Sequence, residues 1–215
     1  MRNLVIYEPS GPAREAAELA VNVYRGCDHH CQYCYVPGLQ HVPREQLAEV
    51  RERNNFLAKL EADAQSIVPV PDRPISLCFA CDPYCRFDIE HGITREAIEI
   101  LHAAGHKVRI LTKGGTRACR DLDLMGPGDS FGCTLTFSKV ADSLKWEPGA
   151  ALPIDRMKAL RISHEAGIST FANMEPVIDP AQSLALIDMS DGHPVAPVEY
   201  AALADFLRAS QAAAK

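Results

Sequence analysis

The chain has 215 residues, and 47% of them are hydrophobic, which is enough for one domain with a sizeable core. Its net charge of −6 disfavours a strongly electrostatic, sequence-independent grip on nucleic acid, because such binding normally needs a basic surface. No apolar run approaches the ~18 residues of a membrane span, and the N-terminus lacks the apolar stretch of a signal peptide. We therefore expect a cytoplasmic protein without a membrane partner.

Residues 1–20 are predicted to lead into a single domain that fills residues 21–215. The lead-in contains a short apolar run, a group of turn residues and a helix-prone stretch over 13–20. Apolar and polar residues then alternate over 21–24, which is the pattern of a first strand. This strand leads directly into a loop with three cysteines. Barrel-type α/β enzymes place their chemistry at such carboxyl ends of strands.

The three cysteines of this loop have Cys-x3-Cys-x2-Cys spacing, so one short segment can wrap their sulfurs round a single inorganic centre. A structural zinc site uses four protein ligands, and a simple electron-transfer iron–sulfur cluster uses four cysteines. Three thiolates on a cubane cluster leave one iron open to bind and activate a small molecule, which favours catalysis. Eight cysteines in this chain also favour metal or redox chemistry over a disulfide scaffold. The three residues are Cys27, Cys31 and Cys34.

The spacing, with Tyr33 directly before the third cysteine, resembles the signature of the radical S-adenosylmethionine (radical SAM) superfamily. The resemblance implies that the three cysteines bind a [4Fe-4S] cluster, whose open iron chelates the amino and carboxylate groups of S-adenosylmethionine (SAM). The reduced cluster would split the sulfonium to give methionine and a 5′-deoxyadenosyl radical. Two other interpretations stay open: a zinc site with His29, His30 or a remote cysteine as fourth ligand, and buried thiols that bind nothing.

After the loop, predicted helices alternate with predicted strands, which implies a parallel sheet with right-handed crossovers. The first helix, over 44–64, has interleaved acidic and basic residues, and we interpret its charges, Arg44 among them, as a solvated face. No convincing sixth strand follows residue 177. The later predicted strands cover residues 74–80, 107–113, 132–137 and 167–177, and the later predicted helices cover residues 94–101, 153–166, 181–189 and 198–209.

Further residues along these elements resemble the branch of the superfamily related to spore photoproduct lyase, over about residues 21–177. The resemblance implies an α/β fold: a partial open (β/α) barrel of the radical SAM type, with parallel strands and with the cluster and SAM at its C-terminal mouth. In this expectation the sixth strand is missing or irregular, and either an irregular segment, a partner or the substrate covers the open side. The matching residues are Asp82-Pro83-Tyr84, Glu90, Thr94-Arg95, Leu101, Leu111-Thr112-Lys113, Arg120-Asp121, Glu147-Pro148, Arg156 and Ala166-Gly167-Ile168.

Carried over residue by residue, the resemblance assigns SAM contacts to side chains at the mouth of the barrel. Tyr33 would lie near the adenine. Asp82 occupies the place where the superfamily often meets the methionine amino group, although the usual Gly-Gly-Glu is not present. Lys113 is similar to the lysine of the lyase branch that reaches the SAM carboxylate. The hydroxyl groups that would face the ribose are those of Thr134, Thr136 or Ser138.

A second group of cysteines, Cys78, Cys81 and Cys85, has Cys-x2-Cys-x3-Cys spacing, which suggests a second cluster. Cys78 and Cys81 differ by three along a predicted strand, however, so they should point to opposite faces. A core cysteine and a strand-end cysteine are therefore the favoured interpretation. In the lyase branch this part of the chain carries a hydrogen-donating thiol, so the resemblance makes Cys81 and Cys85 candidate catalytic residues that quench a substrate radical. Cys119 and Cys133 are interpreted as small buried hydrophobic residues.

Two classes of function follow from these patterns. The first is a radical SAM enzyme that abstracts a substrate hydrogen and takes its electron from an external donor such as flavodoxin or ferredoxin. At branch level we expect a lyase that acts on a cross-linked pyrimidine in nucleic acid, while modification of a small molecule, a peptide or an RNA base is as compatible with the acidic composition. The second is a non-catalytic iron–sulfur or zinc protein, a redox sensor or binding module, which predicts a fourth protein ligand and no affinity for SAM. The substrate stays undetermined, because this fold hosts many reactions.

Overall fold

A computed structural model describes residues 4–11 and 13–190 of the chain. The strands are β1 (Ile6–Tyr7), β2 (Leu19–Val21), β3 (Tyr24–Arg25), β4 (Arg51–Glu52), β5 (Ile75–Leu77), β6 (Val108–Thr112), β7 (Ser130–Thr134) and β8 (Ser169–Asn173). Six of them form one sheet in the order β1-β2-β5-β6-β7-β8, and β3 pairs with β4 separately. Within the large sheet β1 is antiparallel to β2, whereas all the other neighbours are parallel.

Helices connect the strands and pack against the sheet. They are α1 (Ala13–Ala16), α2 (Val36–Gln40), α3 (Arg44–Leu47), α4 (Phe56–Ser66), α5 (Arg86–His91), α6 (Ile93–Ala103), a 3₁₀ helix over Gly115–Leu124, α7 (Val140–Trp146), α8 (Pro153–Glu165) and α9 (Pro180–Ser190). Helix α4 packs against α6, and α8 packs against β7 and β8. The core lies between these layers, where Leu77 and Ile110 of the sheet and Leu60, Leu101 and Leu160 of the helices are buried. Among the residues that the structure describes, no helix is both long and apolar enough to cross a membrane.

The predicted fold class, an α/β partial open barrel with parallel strands, is confirmed. Five strands run parallel, and the sheet does not close, since β1 and β8 form its two edges in the described part of the chain. Over residues 174–190 no sixth parallel strand follows β8, and α9 occupies this stretch instead. The sixth strand of the sheet is β1, at the opposite edge. The predicted helix over 198–209 lies outside the described residues.

The predicted first strand is displaced. The structure places β2 over Leu19–Val21, inside the predicted lead-in, and β3 over Tyr24–Arg25 follows as a separate strand. All three residues of β2 are buried between β1 and β5, so packing in the sheet overrides the helix preference of the stretch over 13–20. Only Ala13–Ala16 of that stretch is helical.

The prediction of one continuous helix over 44–64 is wrong, because the structure has two helices there with a short strand between them. Helix α3 ends at Leu47 and α4 begins at Phe56, with β4 between them. The interrupted segment serves the start of the cysteine loop, because β4 pairs with β3 and the carbonyl of Leu47 accepts the N–H of Cys27 at 2.8 Å. A continuous helix would use that carbonyl for its own ladder, so the loop and the helix compete for the same acceptor.

Candidate active site at the carboxyl edge of the sheet

The cysteine loop lies over the carboxyl ends of the parallel strands. Asn22, directly after β2, ties the exits of two strands together: its Oδ1 accepts the N–H of Phe79 at 2.9 Å and of Ala80 at 2.7 Å, both beyond the end of β5. Its Nδ2 donates to the hydroxyl of Tyr7 in β1 at 2.8 Å. The segment that leads into the cysteines therefore starts from a fixed position on the sheet edge.

Gly26 sets the path by which the chain enters the loop. Its φ is +84°, a region that glycine adopts without steric cost. A Cβ at this position would lie 2.6 Å from the carbonyl oxygen of Leu47 and 2.7 Å from that of Glu49. Any other residue would push the loop away from the acceptor that holds the N–H of Cys27.

The three predicted cluster ligands are partly buried free thiols on this one loop. Burial raises the pKa of the Cys27 thiol, and it raises that of Cys31 to about 11 even though the positive charge of Lys113 acts in the opposite direction. The charge of Cys31 acts on Cys27, and the charge of Cys34 acts on Cys31, so the thiols are electrostatic neighbours.

The loop offers three free thiols to a metal centre. Among the described residues, no three Cys, His, Asp or Glu side chains converge closely enough to hold a metal ion. Three thiols on one turn match in number the cysteines of a cluster with one open iron, whereas a closed tetrahedral zinc site needs a fourth ligand. Cluster binding by Cys27, Cys31 and Cys34 therefore stays a prediction whose chemistry matches the donors.

Tyr33 is anchored on the β7 side of the site. Its hydroxyl donates to a carboxylate oxygen of Glu147 and lies 3.2 Å from Oγ1 of Thr136. The other oxygen of Glu147 accepts from the guanidinium of Arg156 at 2.6 Å, and both members of this pair are buried. Burial alone would raise the pKa of Glu147, but Arg156 and Lys113 outweigh it and lower that pKa. The ammonium of Lys113 lies 5.6 Å from the centroid of the Tyr33 ring, so both predicted SAM contacts face one another.

Asp82 is the most heavily bonded side chain of the site. Its Oδ1 accepts the N–H of Tyr84 at 2.8 Å and the hydroxyl of Thr112 at 2.6 Å. Its Oδ2 accepts the N–H of Lys113 at 2.7 Å and lies 3.5 Å from Nδ1 of His29. Burial alone would raise the pKa of Asp82, but these partners lower it, His29 most of all. A carboxylate offers about four acceptor positions and three of them are occupied, so the predicted contact with the methionine amino group would use the remaining position, on the side that faces His29.

The three hydroxyls predicted for the ribose do not share one strand face. β7 ends at Thr134, so Thr136 and Ser138 belong to the segment that follows it. Thr134 and Thr136 are buried, and Thr136 is already in contact with Tyr33. Ser138 is partly exposed, and its N–H donates to Oε1 of Gln182. Of the three, Thr136 lies nearest to the predicted SAM contacts.

The second group of cysteines begins just beyond β5, which ends at Leu77, so strand alternation does not separate Cys78 from Cys81. Cys78 is buried, and its sulfur accepts the N–H of Val23 at 3.4 Å. Cys85 is fully buried, whereas Cys81 is partly exposed. The burial of Cys78 agrees with the favoured interpretation of this residue as a core cysteine.

Sequence patterns did not indicate two of the groups that hold the site. Arg44, interpreted as part of a solvated helix face, donates to the carbonyl of Cys31 at 2.6 Å and to that of Cys34 at 3.3 Å. Arg117, to which no role was assigned, donates to Nε2 of His29 at 2.7 Å. No short-range signal marks either contact, because the first is made to backbone and the second joins residues 88 positions apart.

Comparisons with known proteins support the fold. No protein-family model matches the chain. An uncharacterized protein of Methanocaldococcus jannaschii is 24% identical over 185 residues, which cover 80% of this chain and 65% of the relative. Spore photoproduct lyase complexed with dinucleoside spore photoproduct superposes with a TM-score of 0.71 at 20% identity, over 92% of this chain and 57% of the lyase. A variant of that lyase with bound AdoMet and dinucleoside spore photoproduct superposes with a TM-score of 0.70 at 22% identity, over 87% and 54%.

The chain thus spans a little over half the length of the solved structures that it resembles, and 65% of its curated relative. At these identities the likeness concerns the fold. The expected resemblance to the partial barrel of spore photoproduct lyase is confirmed at that level.

Proposed function

We propose that the protein is a radical SAM enzyme, with Cys27, Cys31 and Cys34 as the ligands of a [4Fe-4S] cluster. With one electron from an external donor such as flavodoxin or ferredoxin, the bound cluster would supply reductive cleavage of SAM to methionine and a 5′-deoxyadenosyl radical. The observation that carries the proposal is the position of the loop: a three-thiol turn lies over the carboxyl ends of parallel strands, in a fold similar to spore photoproduct lyase.

The residues around the loop suit the cofactor in charge and shape. Lys113 follows β6 and brings an ammonium group close enough to act on the pKa of Cys31, so a SAM carboxylate bound there would meet an opposite charge. The Tyr33 ring is held by Glu147 and offers a flat surface for the adenine. Thr136 places a hydroxyl beside it for the ribose. These three side chains are the part of the predicted SAM set that the geometry brings together.

Within this proposal, Cys81 is the better of the two candidate hydrogen donors. It is partly exposed, whereas the Cys85 thiol is fully buried and its pKa is raised by burial. In the proposed step the S–H bond of Cys81 breaks homolytically and the substrate carbon radical gains a C–H bond. The thiyl radical that remains on Cys81 takes a hydrogen atom from an added thiol, and the thiyl radicals formed from that thiol combine in pairs to give its disulfide.

For the substrate we propose a nucleic-acid lesion, a cross-linked pyrimidine, processed by a lyase reaction. Support comes from the solved lyase structures, which hold a dinucleoside spore photoproduct. The net charge of −6 fits recognition of the lesion itself better than a strong grip on the phosphate backbone. The non-catalytic alternative differs from this proposal in needing a fourth protein ligand at the loop.

The test is anaerobic. The protein is reconstituted with iron and sulfide, reduced and given SAM, and 5′-deoxyadenosine is measured by liquid chromatography with Cys31→Ala as the control. Wild-type protein should form the nucleoside and the variant should not. A stable cluster or bound zinc without SAM cleavage, whatever the reductant, would overturn the proposal. Adding dinucleoside spore photoproduct, with the undamaged dinucleotide as its control, then tests the substrate: only the lesion should be consumed.

A further inference from the structure

His29 lies between the first two cysteines of the loop, and its side chain is buried to 2% exposure. Its neighbour His30 is exposed and adopts a φ of +53°. Two adjacent residues of the same type therefore have opposite environments. The burial of His29 therefore depends on contacts with parts of the fold outside the loop.

The hydrogen bonds of His29 have a defined direction. A nitrogen of the Arg117 guanidinium lies 2.7 Å from Nε2. Because a guanidinium only donates, Nε2 must accept, and the ring proton must be on Nδ1. Nδ1 faces Oδ2 of Asp82 at 3.5 Å. The ring thus lies between a cation and a carboxylate: Nε2 accepts a hydrogen bond from Arg117, and Nδ1 lies near Asp82 at a distance longer than a normal hydrogen bond.

The two partners belong to other parts of the fold. Asp82 follows β5 and is bonded to Thr112 and Lys113 at the end of β6. Arg117 lies in the 3₁₀ helix after β6, where its Nε also donates to the carbonyl of Tyr84 at 2.6 Å. The bridge therefore joins the middle of the cysteine loop to two strand exits and one helix.

The backbone of His29 is held as well. Its carbonyl accepts the N–H of Gly149 at 2.9 Å. A Cβ on Gly149 would lie 2.1 Å from the carbonyl oxygen of Asp28 and 2.8 Å from Cα of His29, so the two segments are packed backbone to backbone. Neither the ring nor the main chain of His29 can move without breaking contacts to a different element.

We propose that His29 is a positioning residue, whose bridge from Arg117 to Asp82 fixes the spacing of Cys27 and Cys31 before any cluster binds. The inference rests on the proposed function for the identity of the cluster, while the ordering of the thiols is a property of the metal-free chain. It also leaves His29 without a free nitrogen lone pair for a metal, since Nε2 accepts from Arg117 and Nδ1 carries the proton.

The experiment compares His29→Ala, His29→Gln, Arg117→Lys and the exposed control His30→Ala with the wild-type protein. Each metal-free, reduced protein is treated anaerobically with iodoacetamide, and the alkylation rate of every cysteine is followed by peptide mass spectrometry, with Cys119 as internal reference. Thermal unfolding of each variant checks that it folds. Iron and sulfide content after reconstitution is measured separately.

In the His29→Ala protein, Cys27 and Cys31 should react about tenfold faster, which corresponds to ~1.4 kcal/mol, and less iron should be retained. His29→Gln keeps a donor and an acceptor and should fall between this variant and the wild type. Arg117→Lys should accelerate the same two thiols although it leaves the loop sequence intact, and it decides the matter if His29→Ala does not fold. His30→Ala should match the wild type.

Unchanged alkylation in His29→Ala and Arg117→Lys would overturn the inference. So would loss of iron from His29→Ala with unchanged thiol reactivity in the metal-free protein, since that pattern identifies a ligand and not a positioning residue. Failure of the proposed function has a different signature: the wild-type protein would then fail to cleave SAM, while the alkylation rates could still differ between the variants.

Discussion

Arg44 binds the backbone of the cysteine turn and not the cysteine thiols. Its guanidinium reaches the carbonyl oxygens of Cys31 and Cys34, one nitrogen to each. Hydrogen bonds from a charged donor are stronger than neutral ones, and the planar fork of arginine fixes their direction. The turn between these two cysteines should therefore depend on Arg44 for its shape.

Replacing Arg44 by lysine retains the charge but loses the fork, so one of the two carbonyls loses its partner. We expect the metal-free protein to lose ~1–3 kcal/mol of stability, and the reconstituted protein to bind less iron. Urea unfolding and iron analysis measure the two effects. Arg51→Lys, a change of the same kind at an exposed position of β4, is the control and should alter neither quantity. Equal behaviour of the two variants would show that the turn holds its shape without Arg44.

At the scale of single residues, the sequence is enough to propose the cluster-binding cysteines but not to find the residues that hold them in place. The spacing of Cys27, Cys31 and Cys34 is a local pattern, so it can be recognised without the fold. The roles of Arg44 and Arg117 depend on which backbone or ring lies opposite them, and no local pattern reports that. The family resemblance assigns Asp82 to the cofactor, and no local pattern indicates that its carboxylate already accepts three hydrogen bonds from the protein.

At the scale of elements, alternation of apolar and polar residues predicts that strands exist, and tertiary contacts decide where they end. The helix expected over 44–64 shows the reason: the cysteine loop needs the carbonyl of Leu47, and β4 pairs with β3 in the middle of this segment. The first strand moved to Leu19–Val21 for a similar reason, since neighbours on both sides bury it. Both requirements arise from residues remote in sequence.

Asp129 also connects several elements, at the opposite edge of the sheet, where strands β6 and β7 begin. Buried to 3% exposure, it accepts the N–H of Val108 at the start of β6 and of Gly126 in the turn before β7, both at 2.8 Å. Its Oδ1 also lies 3.2 Å from Nε2 of His102, near the end of α6. Burial alone would raise the pKa of Asp129, but His102 and the two N–H groups together lower it.

Because the folded-state pKa of Asp129 is below its unfolded value, its contribution to stability is present above the unfolded value of ~3.9 and is lost as the pH falls through the folded value. Asp129→Asn removes the charge that the three donors face, so it should cost ~1–3 kcal/mol at pH 7. The difference from the wild type should shrink at acid pH, which urea unfolding at a series of pH values can follow. Asp72→Asn, at an exposed position, is the control. A cost for Asp129→Asn that does not change with pH would contradict this assignment.

At the scale of the whole molecule, the cysteine loop connects several elements at the edge of the open sheet. Its residues contact Asp82 at the exit of β5, Arg117 in the 3₁₀ helix and Leu47 in the segment before β4. Gln32 adds a bond from its N–H to the carbonyl of Trp146 at the end of α7, at 2.8 Å. A sheet with two free edges in its described part lacks the mutual support of a closed barrel, so this loop connects elements that the sheet alone does not lock.

A group that binds the loop in the folded chain but not in the unfolded one should therefore stabilise the entire fold. Under anaerobic conditions we expect the reconstituted protein to unfold in one transition at a higher temperature than the metal-free protein, and SAM at a hundred times its Kd to add ~2.7 kcal/mol. Differential scanning calorimetry measures both shifts. In Cys31→Ala, iron and sulfide should give neither shift, because the loop then lacks one of the three proposed cluster ligands. If the cluster loads and melts in a separate, earlier transition while the sheet unfolds unchanged, the loop is not coupled to the sheet. The single transition is expected because the His29 ring of the loop accepts a hydrogen bond from Arg117 and packs beside Asp82 at the exit of β5.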